Sequence, residues 1–217
     1  MPDLKHLYKR NLKRKVGQGT LVATIILVST TIIIGLAVLA LFSSQAAAQR
    51  ENVNRDLFLA EQSAKLTLYR LYSSGNVHVV QIARTEDTLL KTYLLVIGES
   101  PGQLYIDIDY DIELAKDYVV SMNDDTDWEL LPSSTVATYE IYYRDPRSSS
   151  ASYSPLSAWG LGTEDLYELT IDATPRLLKI TINDMPEGVN TLWLIVLVKL
   201  GNNYYSIGYL PIYYAAD

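Results

Sequence analysis

Residues 20–42 read TLVATIILVSTTIIIGLAVLALF, with no charge, no proline and no strong helix breaker except a single Gly35. As a helix this stretch rises about 35 Å, slightly more than the roughly 30 Å hydrocarbon core of a bilayer. It predicts a membrane-spanning helix, and the rest of the chain sorts around it. KRNLKRK (9–15) comes just before. Residues 1–42 hold six Lys/Arg and one acid, a net +5, whereas residues 43–217 hold 12 basic and 24 acidic side chains, a net −12. Positive charge collects on the cytoplasmic side of a span, so the N-terminus is expected inside and the C-terminal part outside. The far flank (Arg50, Glu51, Arg55, Asp56) is balanced and keeps that asymmetry.

Positions 43–217, beyond the span, suffice for a domain with a substantial core. The chain has no cysteine, so that core works without disulfides. Seventeen Tyr against two Phe point to strand faces on which one end of each ring stays wet. Such a composition suits an exported domain on a prokaryotic cell surface. With no basic stripe outside the leading segment, a nucleic-acid partner is not expected.

Ser43–Ser73 contains neither Gly nor Pro and is rich in good helix formers. Leu57, Ala60, Ala64, Leu68 and Leu71 recur at spacings of three and four, which predicts an amphipathic continuation of the helix to about Ser73, with Gly75-Asn76 as its stop. Beyond Gly75 the pattern turns to strands: Val77–Arg84, Leu89–Ile97, Gln103–Leu114, Asp117–Met122, Thr135–Tyr143, Leu166–Ala173 and Arg176–Asn183. A C-terminal hairpin of Thr191–Leu200 and Tyr204–Tyr214 follows, with Pro211 marking an edge. In QLYIDIDYDIEL (103–114) strict alternation sets Asp107, Asp109, Asp111 and Glu113 on one face and Ile106, Ile108, Tyr110 and Ile112 on the other. The expected fold class is α+β: a long N-terminal transmembrane and amphipathic helix followed by an antiparallel β-sandwich-like domain. Its organisation is a basic leader (1–17), a transmembrane helix (18–42), a helical extension (43–75) and an extracellular β-rich domain (76–217).

This order of basic leader, glycine, uninterrupted apolar helix, helical extension and acidic β domain resembles type IV pilin-like proteins, particularly archaeal pilins and the archaellum-related superfamily. The resemblance rests on the part of the chain from Met1 to about Ser73. It implies a class III signal peptide cut after a glycine that follows basic residues. The matching stretch is Lys13-Arg14-Lys15-Val16-Gly17, making Gln18 the first mature residue, with Gly19 as a second site. Val16 stands where a basic residue usually precedes the glycine. Gln18–Phe42 lacks the glutamate of bacterial pilins, which fits archaeal members better. The resemblance further implies a homo-oligomeric filament whose core is the N-terminal helix, with Leu21, Ile25, Val28, Ile32, Leu36 and Leu39 as assembly residues. Its role would be adhesion or surface attachment. A second reading keeps the protein in the membrane as a single-pass anchor whose β domain binds a surface-layer, motility or secretion partner. Small residues along the span (Ala23, Ser29, Gly35, Ala37, Ala40) would let helices approach closely and are also common in any membrane helix. Ala46-Ala47-Ala48 offers a secretory cleavage site, but the apolar stretch exceeds the roughly 7–15 residues of such signals.

Other motifs are weighed against plainer roles. Asn123, Asp125 and Asp127 have the alternate spacing of a calcium loop, yet Trp128 replaces the turn glycine and Ser134 the closing acid, so a solvated turn is expected and no metal or cofactor is assigned. The acidic ladder of 107–113 reads as a solvent-facing strand with cations on its neighbours, or as a docking face for a basic partner. His6 lies in the leader and His78 stands alone among valines, which leaves nucleophile chemistry without a base, so no enzyme activity is expected. Gly17-Gln18-Gly19-Thr20 lacks the strand–helix setting of a phosphate cradle. The chain contains no N-glycosylation sequon. Asp145–Gly162 reads as one long surface loop in which Tyr153, Trp159 and Leu161 either dock on a neighbour or tuck into the domain. Leu4, Leu7, Tyr8 and Leu12 would give a retained leader an amphipathic face for anionic lipid.

Overall fold

Leu66 ends the helix because its neighbours offer it something better. The computed structural model describes residues 4–100, 103–105, 108–116, 127–144, 152–159, 162–185, 187–189 and 191–213. In it helix α1 runs unbroken from Leu4 to Lys65, and strand β1 (Leu66–Ser74) begins at the next residue. The helical extension expected to reach Ser73 is therefore corrected: it stops at Lys65, and 66–74 pairs along its length with β2 (Val77–Arg84). The stripe that includes Leu68 and Leu71 satisfied a helical period, but Thr67, Tyr69 and Tyr72 are equally at home in a strand. Packing decides, since Leu66 and Leu68 lie against the main core. Residues 1–56 and 57–217 form two compact units, so the last two turns of α1 group with the strands.

The remaining strands are β3 (Leu90–Ser100), β4 (Gln103–Tyr105), β5 (Asp109–Ala115), β6 (Trp128–Leu130), β7 (Ser133–Ala137), β8 (Ile141–Tyr143), β9 (Ser154–Pro155), β10 (Thr163–Ile171), β11 (Arg176–Asp184), β12 (Thr191–Leu200) and β13 (Asn203–Tyr213). They make two sheets, ordered β1-β2-β11-β5-β6 and β7-β10-β3-β12-β13-β8-β9, with β4 beside β3. The described pairings are antiparallel except β8 with β13. The α+β class thus holds. The hairpins β1–β2 and β12–β13 each turn on two residues, Gly75-Asn76 and Gly201-Asn202, and the leading glycines take φ of 54° and 63°. A left-handed first position in a two-residue turn selects glycine because it has no Cβ.

Between the sheets Val80, Ile82, Ile112, Leu178 and Ile180 meet Leu94, Val96, Leu192, Leu194 and Val196, and Leu59 of α1 completes this core. β3 and β12 are buried on both faces. Their other side chains (Tyr93, Leu95, Ile97, Ile195, Leu197) form a second core under Val136, Ile141, Tyr143 and Leu156. The described parts of 133–159 therefore supply the cover for the second face of β3 and β12. They correct the single loop expected over 145–162: Ser154–Pro155 is a strand, Leu156–Trp159 a 3-10 turn, and Leu156 is fully buried. Tyr153 tucks inward and donates to Ser206 O at 3.0 Å. Leu161 lies outside the described residues.

Two further strand expectations change. Residues 103–114 do not make one strand: β4 pairs with β3 in one sheet and β5 with β11 in the other. Alternation reports the pleat but not the partner. Likewise 135–143 is broken by a 3-10 turn at Thr138–Glu140. The strand expected at 117–122 lies outside the described residues. Pro211 does sit where β13 has only β12 beside it, since β8 reaches just Tyr204 and Tyr205.

The tyrosines explain their number. Tyr93 meets Tyr204 edge-on at 4.9 Å between ring centroids, Tyr142 stacks on Tyr205 at 5.1 Å, and Tyr143 meets Tyr209 at 5.6 Å. Tyr110 OH donates to Asp165 O at 3.0 Å and Tyr167 OH to Tyr110 O at 2.8 Å. These rings fill core volume, and the hydroxyls of Tyr110, Tyr153 and Tyr167 each end on a backbone acceptor.

Candidate functional site

The span supplies a long run of uncovered apolar side chains. Leu21, Ile25, Val28, Ile32, Leu36 and Leu39 recur every three or four residues and share one side of α1. All are exposed, from 50% at Val28 to 66% at Leu39, and the residues facing the other way (Leu27, Ile33, Ile34) are as open. Polar groups in the span are satisfied locally: the hydroxyls of Thr24, Thr30 and Thr31 donate to the carbonyls of Thr20, Ile26 and Leu27 at 2.9, 2.6 and 2.8 Å. With these bonds the hydroxyls enter an apolar surrounding at little cost. Gly35 has open space around the position a Cβ would take, so nothing within the chain requires a glycine there. The helix is long and apolar enough to cross a membrane. Gly17 and Gln18 lie within the helical backbone of α1.

A second feature is an acidic cleft of about 560 Å³ between β5 of one sheet and β7 and β10 of the other. Asp109, Asp111, Glu164 and Asp165 line it with Thr135 and Tyr167. Asn183 Nδ2 donates to Asp111 Oδ2 at 2.9 Å, and Thr135 Oγ1 to Asp165 Oδ1 at 2.7 Å. Burial, then the charges of Asp111 and Asp165, push the Tyr167 hydroxyl up to about 12, so it remains a neutral donor. Burial also pushes Tyr110 upward. Among the described residues no three acidic or imidazole groups come close enough to share a metal ion. The cleft accepts hydrogen bonds and attracts cations.

One acid of the expected ladder is paired with a cation. Glu113 pairs with Lys179, whose ammonium also lies 5.2 Å above the Trp128 ring, and Asn183 bridges Asp109 and Asp111 from the adjacent strand. Asp107 lies outside the described residues, as do Asn123, Asp124 and Asp125 of the calcium-like stretch. Asp127 pairs with Lys116 at 2.7 Å. His78 is fully buried, its Nδ1 2.9 Å from Ser73 Oγ. Burial, with a smaller push from Arg70, lowers it to about 4, so it is a neutral core residue rather than a base at neutral pH. Sequence reasoning missed Glu164 and Asp165, which join Asp109 only through sheet packing. It also missed Leu59, Gln62, Lys65, Arg84 and Glu86, where helix meets strand; Leu59 alone was visible, as an apolar residue off the predicted stripe.

Neither protein-family models nor curated proteins give a match to this chain.

Proposed function

We propose that this chain is a structural subunit of a type IV pilus-like surface filament, cut after Gly17 and assembled through its apolar helix. The observation that carries this reading is the open apolar surface of residues 20–42 on every side of α1. A surface of this kind requires lipid or other chains around it. At roughly 25 cal/mol per Å², burying some 20 apolar side chains gives tens of kcal/mol before ordering costs, enough to drive a helix-cored fibre. The acidic β domain would then lie outside, where its net charge keeps neighbouring surfaces soluble.

A second reading draws on the match between the span and one bilayer thickness, with basic residues on its near flank. Here the helix stays in lipid and the β domain serves as an envelope-facing binding module. N-terminal sequencing of native protein, combined with sedimentation of cell-surface material, separates the two. A mature start at Gln18 in sedimentable fibres supports the filament. An intact Met1 in detergent-dispersed monomers refutes it.

A further inference from the structure

No loop separates α1 from β1, and a helix running straight into a strand would ordinarily be a free joint. Here it is held from three directions. Leu59 (1% exposed) and Gln62, one turn apart, bury the same helical face in the β domain. The last carbonyl of the helix, Lys65 O, accepts the Thr85 N–H at 2.9 Å, satisfying one of the acceptors that every helix leaves open at its C-terminus. Lys65 Nζ bridges Glu61 on the helix and Glu86 beyond β2, the latter at 2.9 Å. Beneath it the Arg84 side chain is 4% exposed and lies 3.9 Å from Glu86, while the Arg84 backbone N–H donates to Asp172 O at 2.8 Å. Register places Arg84 opposite Leu66, the first residue past the joint.

We propose that this cluster is a mechanical lock on residues 57–65: Leu59 supplies the adhesion, and the Lys65–Glu86 bridge over Arg84 fixes the angle of these two turns against the strands. The inference is independent of whether the apolar helix lies in a filament or in lipid. Either surrounding would pass its pull and rotation to the β domain through residues 57–65. The division of labour follows from magnitudes. Exposed ion pairs contribute only about 0–1 kcal/mol each, whereas a buried leucine contributes several times more. The bridge therefore acts on direction. Because Lys65 sits in the last turn, its charge also favours the helix C-terminus electrostatically.

The chain is free of cysteine, so paired spin labels at Ser63→Cys and Thr170→Cys report one distance across the joint in full-length protein in micelles and in liposomes. The expected result is one narrow distance peak, the same in both media. Lys65→Glu should lose the narrow peak, and Lys65→Arg, which keeps a cation between Glu61 and Glu86, should hold it. Circular dichroism of the strands, unchanged in every variant, shows that the domain stays folded, and Glu86→Gln serves as the milder lesion. A broad distribution in the labelled parent would overturn the lock. So would a narrow one that survives Lys65→Glu, or a broadening that Lys65→Arg produces equally.

Discussion

Ile33 sits close to the middle of the 20–42 span, 66% exposed on a surface with no charged neighbour. Ile33→Asp loses a residue that favours the bilayer centre by about 0.3–0.6 kcal/mol and adds one that opposes it by about 2.5–3.5 kcal/mol, a swing of roughly 3–4 kcal/mol. In lipid that cost falls once per chain on a helix whose other side chains still favour insertion. It is softened further by protonation or by water drawn toward the carboxyl. In a helix-cored fibre every subunit presents the same carboxyl to apolar neighbours, with no water and no counter-charge in residues 20–42. At about 1.4 kcal/mol per tenfold in equilibrium, even the single-chain figure weakens each addition by two orders of magnitude or more. Ile33→Asp should therefore remain in the membrane fraction after alkaline extraction while surface fibres vanish from electron micrographs, with Ile33→Leu behaving as the parent. Fibres of ordinary number and length from Ile33→Asp would refute helix-core packing, since no arrangement buries that position cheaply.

Gly35→Leu discriminates more finely: it should leave extraction behaviour unchanged yet reduce fibre yield, because Gly35 has no packing role within the chain and only a neighbouring helix would notice the side chain. Leu59→Ala should cost about 2–5 kcal/mol in denaturant unfolding of the β domain, as expected for a fully buried leucine, and a loss below about 1 kcal/mol would place those helical turns outside the cooperative core. Gly208→Ala should cost about 1–3 kcal/mol, because the added Cβ would collide with Leu66 and lie 3.1 Å from Leu68 Cδ1 where β1 crosses β13. For His78, lowered to about 4 when folded, the unfolded chain takes up a proton that the folded one refuses. Its stabilisation is complete above about pH 6.5 and falls as pH drops toward 4, by roughly 3 kcal/mol. His78→Phe should flatten that part of the stability profile, and parallel profiles for parent and variant would show that His78 is not what titrates.

Much of this fold was written in local patterns, and the exceptions share one cause. Val77–Arg84 and Thr191–Leu200 were readable to the residue because each carries β-branched and apolar side chains between turn signals with glycine at the left-handed position. Where the reading failed, a nearest-neighbour signal met a long-range decision. Leu66–Ser74 scores as helix by composition, yet across the hairpin it gains a full ladder with β2 and a packing site at Gly208, far along the chain. Such gains outweigh propensity differences of a few tenths of a kcal/mol per residue. Residues 103–114 keep perfect alternation while changing sheets, because a face pattern is the same whichever strand lies alongside. The same logic governs function. An apolar helix announces itself in any window that spans it. The acidic cleft and the Lys65–Glu86 bridge exist only after Asp109 meets Asp165 and Lys65 meets Glu86 through folding. The legible part of this molecule is the part that needs a surrounding. What holds residues 57–65 to the strands is built from one buried leucine and from residues that, read singly, look like ordinary surface charge.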